Sequence, residues 1–598
     1  MRFSIPNFIR SGILNSNKIS GAQLIYNKLI ENNVKDVFLY SGGSIMPLVD
    51  KFYNGHINYF VNTHEQNCGH AATGYAKSSN QTGVVITTSG PGITNMVTPM
   101  LDAQNDSTPL VVISGQVGLN VMGTDAFQEA PAVEITKPVT KWSYCIKNVK
   151  EIPYVLDKAF HLANDKKKGV VHLDLPKCVS TSEIEETLLD YSNSYFNDLE
   201  DDSVEMSDTT IEYIADVINR SEKPIFYVGQ GCAHASKELK KNIYKNNIPC
   251  TSTIHGKGIF SERDVKSLKW CGMHGLPAAN YALQEADCII AIGSRFDDRT
   301  TGNTEFYAPK AKEKEQIIHV DIEKKQFHKN VKSDFNIVSD SKNFLEKLYF
   351  HLEDNRRLEW ISRIGQLNQL HNFQYRTPEN GEINTPLAIN AINNYLKSVD
   401  DFNISTGVGN HQMMTYQFIE GLKPKQVHSS GSLGVMGAGL PYAVGIQIAN
   451  PDSLVIDIDG DSSFMMTMSD LKTIQEYNLP VKIAIMNDSR QMMVNIWERL
   501  FFEERYTATI NNKNPNFCSL AESFGIKSFK CSYQDDLQTM TDKFLNFEGA
   551  ALCEYVVEPE ICLPLVGPGK ALDDMILFNE YHEKESGKLE FDLHSVPS

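Results

Sequence analysis

Among the 598 residues there is no C-x-x-C pair, and the eleven cysteines are odd in number and spread from Cys68 to Cys562. That usage fits neither a disulfide framework nor a structural zinc site, and it predicts reduced core thiols. Extended apolar stretches are also missing: Pro109–Ile113 and Cys288–Ile292 each end after five residues, whereas a membrane-spanning helix needs about 20. No segment is expected to cross a membrane. Positive charge is scarce, with 56 Lys and Arg against 74 Asp and Glu for a net charge of −18. This is the wrong sign for neutralising a phosphate backbone, so nucleic acid is not an expected partner. No short-period repeat is present, which excludes solenoids and propellers.

What is there is a globular composition, 41% hydrophobic and 22% charged, on a chain long enough for three large domains. The first 30 residues contain Arg2, Arg10, Lys18 and Lys28 and no acid, in the manner of an organellar presequence. The cytoplasm is the default location; import into a mitochondrion or plastid is the alternative. From residue 18 to 180, β-rich runs such as Gly83–Thr88 and Leu110–Ser114 alternate with helix-like stretches such as Ala22–Asn32. The alternation predicts an α/β fold on a doubly wound parallel sheet. Residues 181–208 hold ten acids and no Lys or Arg, which reads as a solvated linker. A second α/β block spans 209–345, a charged helical linker 346–384, a third α/β block 385–575 and a polar tail 576–598.

In the third block, Leu454–Phe464 (LVIDIDGDSSF) is read as a strand running into a Gly-Asp pair. A helix-like stretch and the strand Val481–Met486 follow, ending in Asn487-Asp488. This puts Asp461 and Asp488 at the carboxyl ends of two strands, where open α/β sheets bind ligands. Two such carboxylates can share a hard cation such as Mg²⁺, which binds through one or two carboxylates plus phosphate oxygens. D-G-D alone is equally a turn, and the spacing to N-D tips the reading. Two glycine-rich companions, Thr406–Gln412 and Ser430–Pro441, allow backbone amides to approach a phosphate closely. The first block offers one carboxylate in a chemically suggestive place, Glu65 in Val61–Asn67, read as a strand ending just before a helix rich in small residues.

The segments Tyr40–Ser44, Thr88–Asn95, Gly123–Glu129 and Leu454–Asp488 resemble, in order and content, the acetohydroxyacid (acetolactate) synthase catalytic-subunit family, over about residues 20 to 575. The resemblance implies three domains of the thiamine diphosphate-dependent decarboxylase type and the condensation of two 2-ketoacids. It implies at least a homodimer, or a homotetramer, with active sites shared between chains, and leaves room for a regulatory small subunit. Glu65 would activate thiamine diphosphate, with Pro91 and Asn95 beside the cofactor and Gly43, Phe127, Gln128 and Lys177 around the substrate; Lys141 also matches a family position. Gly409, Asn410, His411, Gln412, Met436, Gly460 and Ser462 would hold the cofactor, Asp461, Asp488 and Arg490 the cation, and Trp497 would narrow the second-substrate pocket. The middle block is similar to the family's FAD domain, through Gly229, Gly231, Gly272, His274, Gly275, Arg295, Asp297, Arg299, Asp321 and Asp340.

Four positions near the cation depart from the family pattern. Ser462 replaces a glycine, Asp488 an asparagine and Met492 a glycine, and Arg490 stands where a third ligand is expected and can offer only its carbonyl. Two carboxylates at 4 Å repel by about 4 kcal/mol at an effective dielectric of 20, which a divalent ion offsets. On the residues alone, a pyruvate oxidase, a catabolic acetolactate synthase and a non-catalytic homologue stay open.

Overall fold

The structure, a computed structural model, describes residues 18–189 and 206–585. Most of the basic amino-terminal stretch, the middle of the acidic linker and the end of the polar tail lie outside the described residues. Within the linker, Glu183–Glu185 pairs antiparallel with Lys18–Ser20, and the start of the tail forms the helix Phe578–Glu585.

Three parallel sheets organise the chain. The first runs, strand by strand, Asn58–Val61, Asp36–Leu39, Gly83–Thr87, Leu110–Gln116, Val170–Pro176, Trp142–Cys145. The middle sheet is ordered Ser267–Trp270, Cys250–Ser252, Pro224–Val228, Cys288–Ile292, Ile317–Asp321, Phe335–Val338. The third is ordered Ile383–Asn384, Ala551–Glu558, Lys482–Asn487, Leu454–Gly460, Phe402–Thr406, Val427–His428, with Lys527–Cys531 also on Ala551–Glu558. Helices cover both faces, and Leu110–Gln116, Val170–Pro176 and Cys288–Ile292 are buried throughout. That is why these strands read as continuous apolar runs rather than as alternation. None of the eleven cysteines is bonded to another. Among the described residues no helix is long and apolar enough to cross a membrane.

The first and third domains meet through two helices, Glu65–Ser79 and Gly439–Ala449, whose small side chains let the backbones approach. A Cβ on Gly74 would stand 2.7 Å from the Cα of Tyr442, and one on Gly445 2.7 Å from the carbonyl carbon of Ala71. Asp470, fully buried, fastens the same junction by accepting from Asn62 Nδ2 (2.9 Å) and Thr63 N (3.2 Å). The two domains share one apolar core.

Candidate active site

In the third sheet, Leu454–Gly460 and Lys482–Asn487 are neighbours, with Gly460 opposite Met486. A parallel pair joined by a helical crossover brings both strands out at the same edge. Asp461 opens the helix Asp461–Met465 and Asp488 directly follows the second strand, so the two carboxylates meet across 27 positions of sequence. They line a cavity of about 180 Å³ together with Gly409, Asn410, His411, Met436, Gly460, Ser462 and Arg490. Asp461 is 1% exposed. Burial pushes its carboxyl up, and burial and then the neighbouring Asp461 push Asp488 well above the usual carboxylate range. Such a pair invites a cation. Among the described residues no group of three His, Cys, Asp or Glu could hold one, so a further ligand from the described protein would be a neutral oxygen.

Arg490 lines this cavity, but its side chain turns to Asn495 (Nη1 to Oδ1, 3.3 Å) and to the ring of Tyr506 at 5.6 Å. Gln412 lies elsewhere than the sequence suggests. The helix Asn410–Phe418 carries it away from the carboxylates to the wall of a second, larger cavity, where its Nε2 donates to the buried Ser429 Oγ (3.0 Å).

That larger cavity, about 1380 Å³, is lined by all three domains. Gly229, Gly231, His274, Arg295, Asp297, Arg299, Asp321 and Asp340 are on its wall; Gly272 and Gly275 are not. A Cβ on Gly231 would stand 2.8 Å from the Cα of Gly293, so the turn closes only on glycine. Arg295 spans the domains, donating to the carbonyl of Asn105 (2.8 Å) and to Ser432 Oγ (2.7 Å). Burial raises Asp321 to about 6 and lowers His274 to about 4. Asp340 caps the helix Ser341–His351 and pairs with His234 at 2.8 Å. The first domain adds Lys167, which the sequence reading missed; the run Lys166-Lys167-Lys168 was its only signal. Lys141 Nζ, donating to the carbonyls of Asp165 and Lys167 (both 2.8 Å), holds that segment in place. Trp497, on the helix Met492–Phe501, faces this cavity, and Val408, Gly409, Gly434 and Met493 form a wall common to both cavities.

The remaining predicted residues sit at the carboxyl edge of the first sheet. Glu65 does not end a strand: that strand stops at Val61, and Glu65 is the first residue of the helix Glu65–Ser79, where His64 Nδ1 caps Gln66 N (3.1 Å). Glu65 is 9% exposed and accepts from Asn95 Nδ2 (3.0 Å). Pro91 opens a short helix on the adjoining loop. Gly43 and Lys177 are exposed, Phe127 is 88% exposed, and Gln128 is half-buried. Neither cavity includes Glu65, Gly43, Pro91, Asn95, Phe127, Gln128 or Lys177.

Beneath this edge, Asp174 accepts from Ser114 Oγ and Gln116 Nε2 (both 3.1 Å), and Gln116 Nε2 also donates to the carbonyl of Ala130 (2.9 Å), two residues past Gln128. Burial raises Asp174 to about 7. The folded chain therefore holds this proton more tightly than the unfolded one, whose carboxyl titrates near pH 4. The resulting stability is complete below about pH 4 and is lost as pH rises through about 7, up to about 4 kcal/mol. Asp174→Asn is expected to flatten the fall of the thermal midpoint between pH 5 and 8; an unchanged slope would assign that fall to other groups.

Comparison with known proteins agrees with this layout. The descriptions Thiamine pyrophosphate enzyme, N-terminal TPP binding domain, central domain, and C-terminal TPP binding domain match residues 19–135, 211–348 and 407–555. The chain is similar to the mitochondrial acetolactate synthase catalytic subunit of Saccharomyces cerevisiae, 38% identical over 96% of this chain and 85% of the relative. It is 35% identical to the acetolactate synthase isozyme 2 large subunit of Escherichia coli (93% and 99% covered) and 36% to the chloroplastic acetolactate synthase 1 of Zea mays (93% and 88%).

Proposed function

We propose, from the premise that this chain belongs to the acetolactate synthase catalytic-subunit family of thiamine pyrophosphate enzymes, a division of labour among the residues described above. Its reaction is acetolactate synthesis: pyruvate loses CO₂, and the two-carbon unit joins a second 2-ketoacid, pyruvate or 2-ketobutyrate. Thiamine diphosphate, when bound, supplies the thiazolium carbon that attacks the keto group and the electron sink for decarboxylation.

Asp461 and Asp488 would hold Mg²⁺ against the diphosphate. The fit rests on two neighbouring buried carboxyls whose ionised forms need a cation between them. Met436, on the same cavity, would support the cofactor, and Glu65 would share a proton with its ring nitrogen, the task of a positioned general acid–base. The larger cavity exceeds the roughly 300–1,000 Å³ of ordinary small-molecule pockets. Its glycine turn, with Arg295 and Arg299, suits a dinucleotide diphosphate, and FAD is the proposed occupant. Trp497 would narrow the second-ketoacid pocket beside the shared wall.

Because Glu65 is absent from the cavity that holds Asp461, a second copy would bring its own Glu65 there, and the 88% exposed Phe127 would be covered by that copy. A homodimer or homotetramer follows. A regulatory small subunit is proposed from the relatives' names, catalytic subunit and large subunit, and import into mitochondria from the yeast relative's.

The observation carrying this reading is the meeting of Asp461 and Asp488 at adjacent strand ends on one cavity with Met436. Purified protein given pyruvate, thiamine diphosphate and Mg²⁺ is expected to form acetolactate, to carry a yellow flavin and to sediment as a dimer or larger. Acetate or peroxide as the product would refute the carboligase; a colourless, fully active enzyme would refute only the flavin.

A further inference from the structure

We propose that Asp106 is a positioning residue that couples the two cavities: it holds the loop 430–434 in place, so that a ligand in the larger cavity tightens binding in the smaller one. All five loop residues line the larger cavity, and Gly434 lines the smaller one as well. The inference rests on the proposed occupants, FAD and thiamine diphosphate, and adds a connection between them that neither cavity shows alone.

Asp106 directly follows the helix Val97–Asn105 of the first domain, and its side chain is fully buried. All three domains meet on it. Lys77 Nζ of the first lies 2.6 Å from Oδ2, and His255 Nε2 of the middle lies 3.1 Å from Oδ1. From the third, the amides of Gly431 and Ser432 donate to Oδ2 (3.3 Å) and Oδ1 (3.0 Å). Lys77 Nζ also donates to the carbonyl of Ser429 (2.7 Å), and one helical turn before Asp106, Asp102 accepts from Ser430 Oγ (2.5 Å). Four consecutive residues, 429–432, are thereby fastened to the first domain. The middle domain presses on the same loop from the cavity side. His255 lines the larger cavity, and a Cβ on Gly431 would overlap its ring, so ring and loop backbone touch without slack. Arg295 adds a second strut, donating to Ser432 Oγ (2.7 Å) and to the carbonyl of Asn105 (2.8 Å), the residue before Asp106.

Fixing a backbone residue in one conformation costs entropy, and glycine loses more than any other residue. Gly431, Gly434 and Gly437 follow one another closely here, the last two at φ of 75° and 82°. A ligand that fills the larger cavity packs His255, Arg295 and the loop against Asp106 and so meets the ordering cost of that wall. A ligand entering the smaller cavity beside Gly434 then finds the wall already ordered and binds more tightly, with no change of shape required. The effect is reciprocal: thiamine diphosphate must tighten FAD by the same factor.

The test is calorimetric titration of thiamine diphosphate, at fixed Mg²⁺, into full-length protein stripped of cofactors, with and without saturating FAD. FAD is expected to lower the thiamine diphosphate dissociation constant by about 5- to 150-fold. His255→Leu keeps an apolar body but loses the nitrogen that faces Asp106. It should bring the two constants together while leaving the one measured without FAD unchanged; a residue needed only for folding would move both. His255→Gln, with an amide at similar reach, should retain the difference. Asp106→Asn, which keeps the shape but not the charge, should abolish the difference and raise both constants; if its thermal midpoint shows that it does not fold, the two His255 variants decide the matter. Equal constants in the wild type, or an undiminished difference in His255→Leu, would overturn the coupling alone. Protein that takes up no FAD would overturn the flavin reading and the coupling with it, and protein that binds no thiamine diphosphate would overturn the proposed function itself.

Discussion

Glu65→Gln is expected to lower acetolactate formation by about 10²- to 10⁴-fold, equivalent to about 3–5 kcal/mol of barrier, while thiamine diphosphate still binds. The carboxylate is nearly buried, is held by Asn95 at 3.0 Å and begins a helix that packs into the junction of two domains, so its position is fixed by more than its own side chain. Glutamine keeps the shape and the hydrogen bonds but cannot share a proton with the cofactor ring. Steady-state rates with pyruvate, together with calorimetric titration of thiamine diphosphate, separate loss of chemistry from loss of binding. A variant that turns over at the wild-type rate would remove Glu65 from the mechanism. Asn95→Ala, which only frees the carboxylate to move, should cost less.

Lys257→Met is expected to destabilise the contact between the middle and third domains by about 3–5 kcal/mol. Lys257 Nζ lies 2.6 Å from Glu262 Oε2 and 3.0 Å from the carbonyl of Tyr416, and the amide of Gly421 donates to the same carboxylate at 2.8 Å. Both side chains are almost fully buried, 1% and 2% exposed. Taking away the cation leaves a buried carboxylate with one amide for company, which costs more than the pair contributes. The double variant Lys257→Met with Glu262→Gln removes the stranded charge and should recover much of the loss. Urea unfolding followed by tryptophan fluorescence reads both, and a single variant with an unshifted midpoint would show the pair to be energetically idle.

The stretches that the sequence makes legible share one property: their cause is local. Leu110–Gln116 and Cys288–Ile292 announce themselves as buried strands because both faces of a parallel sheet are covered. The 27 positions between Asp461 and Asp488 are one strand–helix–strand crossover, whose geometry leaves little choice about where its ends emerge. Glu65 was legible as a residue and misread as a position, since whether a chain ends a strand or starts a helix turns on a capping contact from His64. Gln412 is legible as one of a cofactor-holding group with Gly409, Asn410 and His411, but only the direction of its helix sends it to the larger cavity.

By itself, the sequence determined that this chain builds three parallel α/β sheets and that two carboxylates meet at one edge of the third, because strand periodicity and crossover length act over a few tens of residues. Only the tertiary structure decided that Lys167 of the first domain reaches the middle domain's cavity, that Asn511 and Asn514 return to Asp461, and that the two cavities share a wall. Those meetings join residues through packing between domains and through a closed loop, and no spacing along the chain encodes how such surfaces come together.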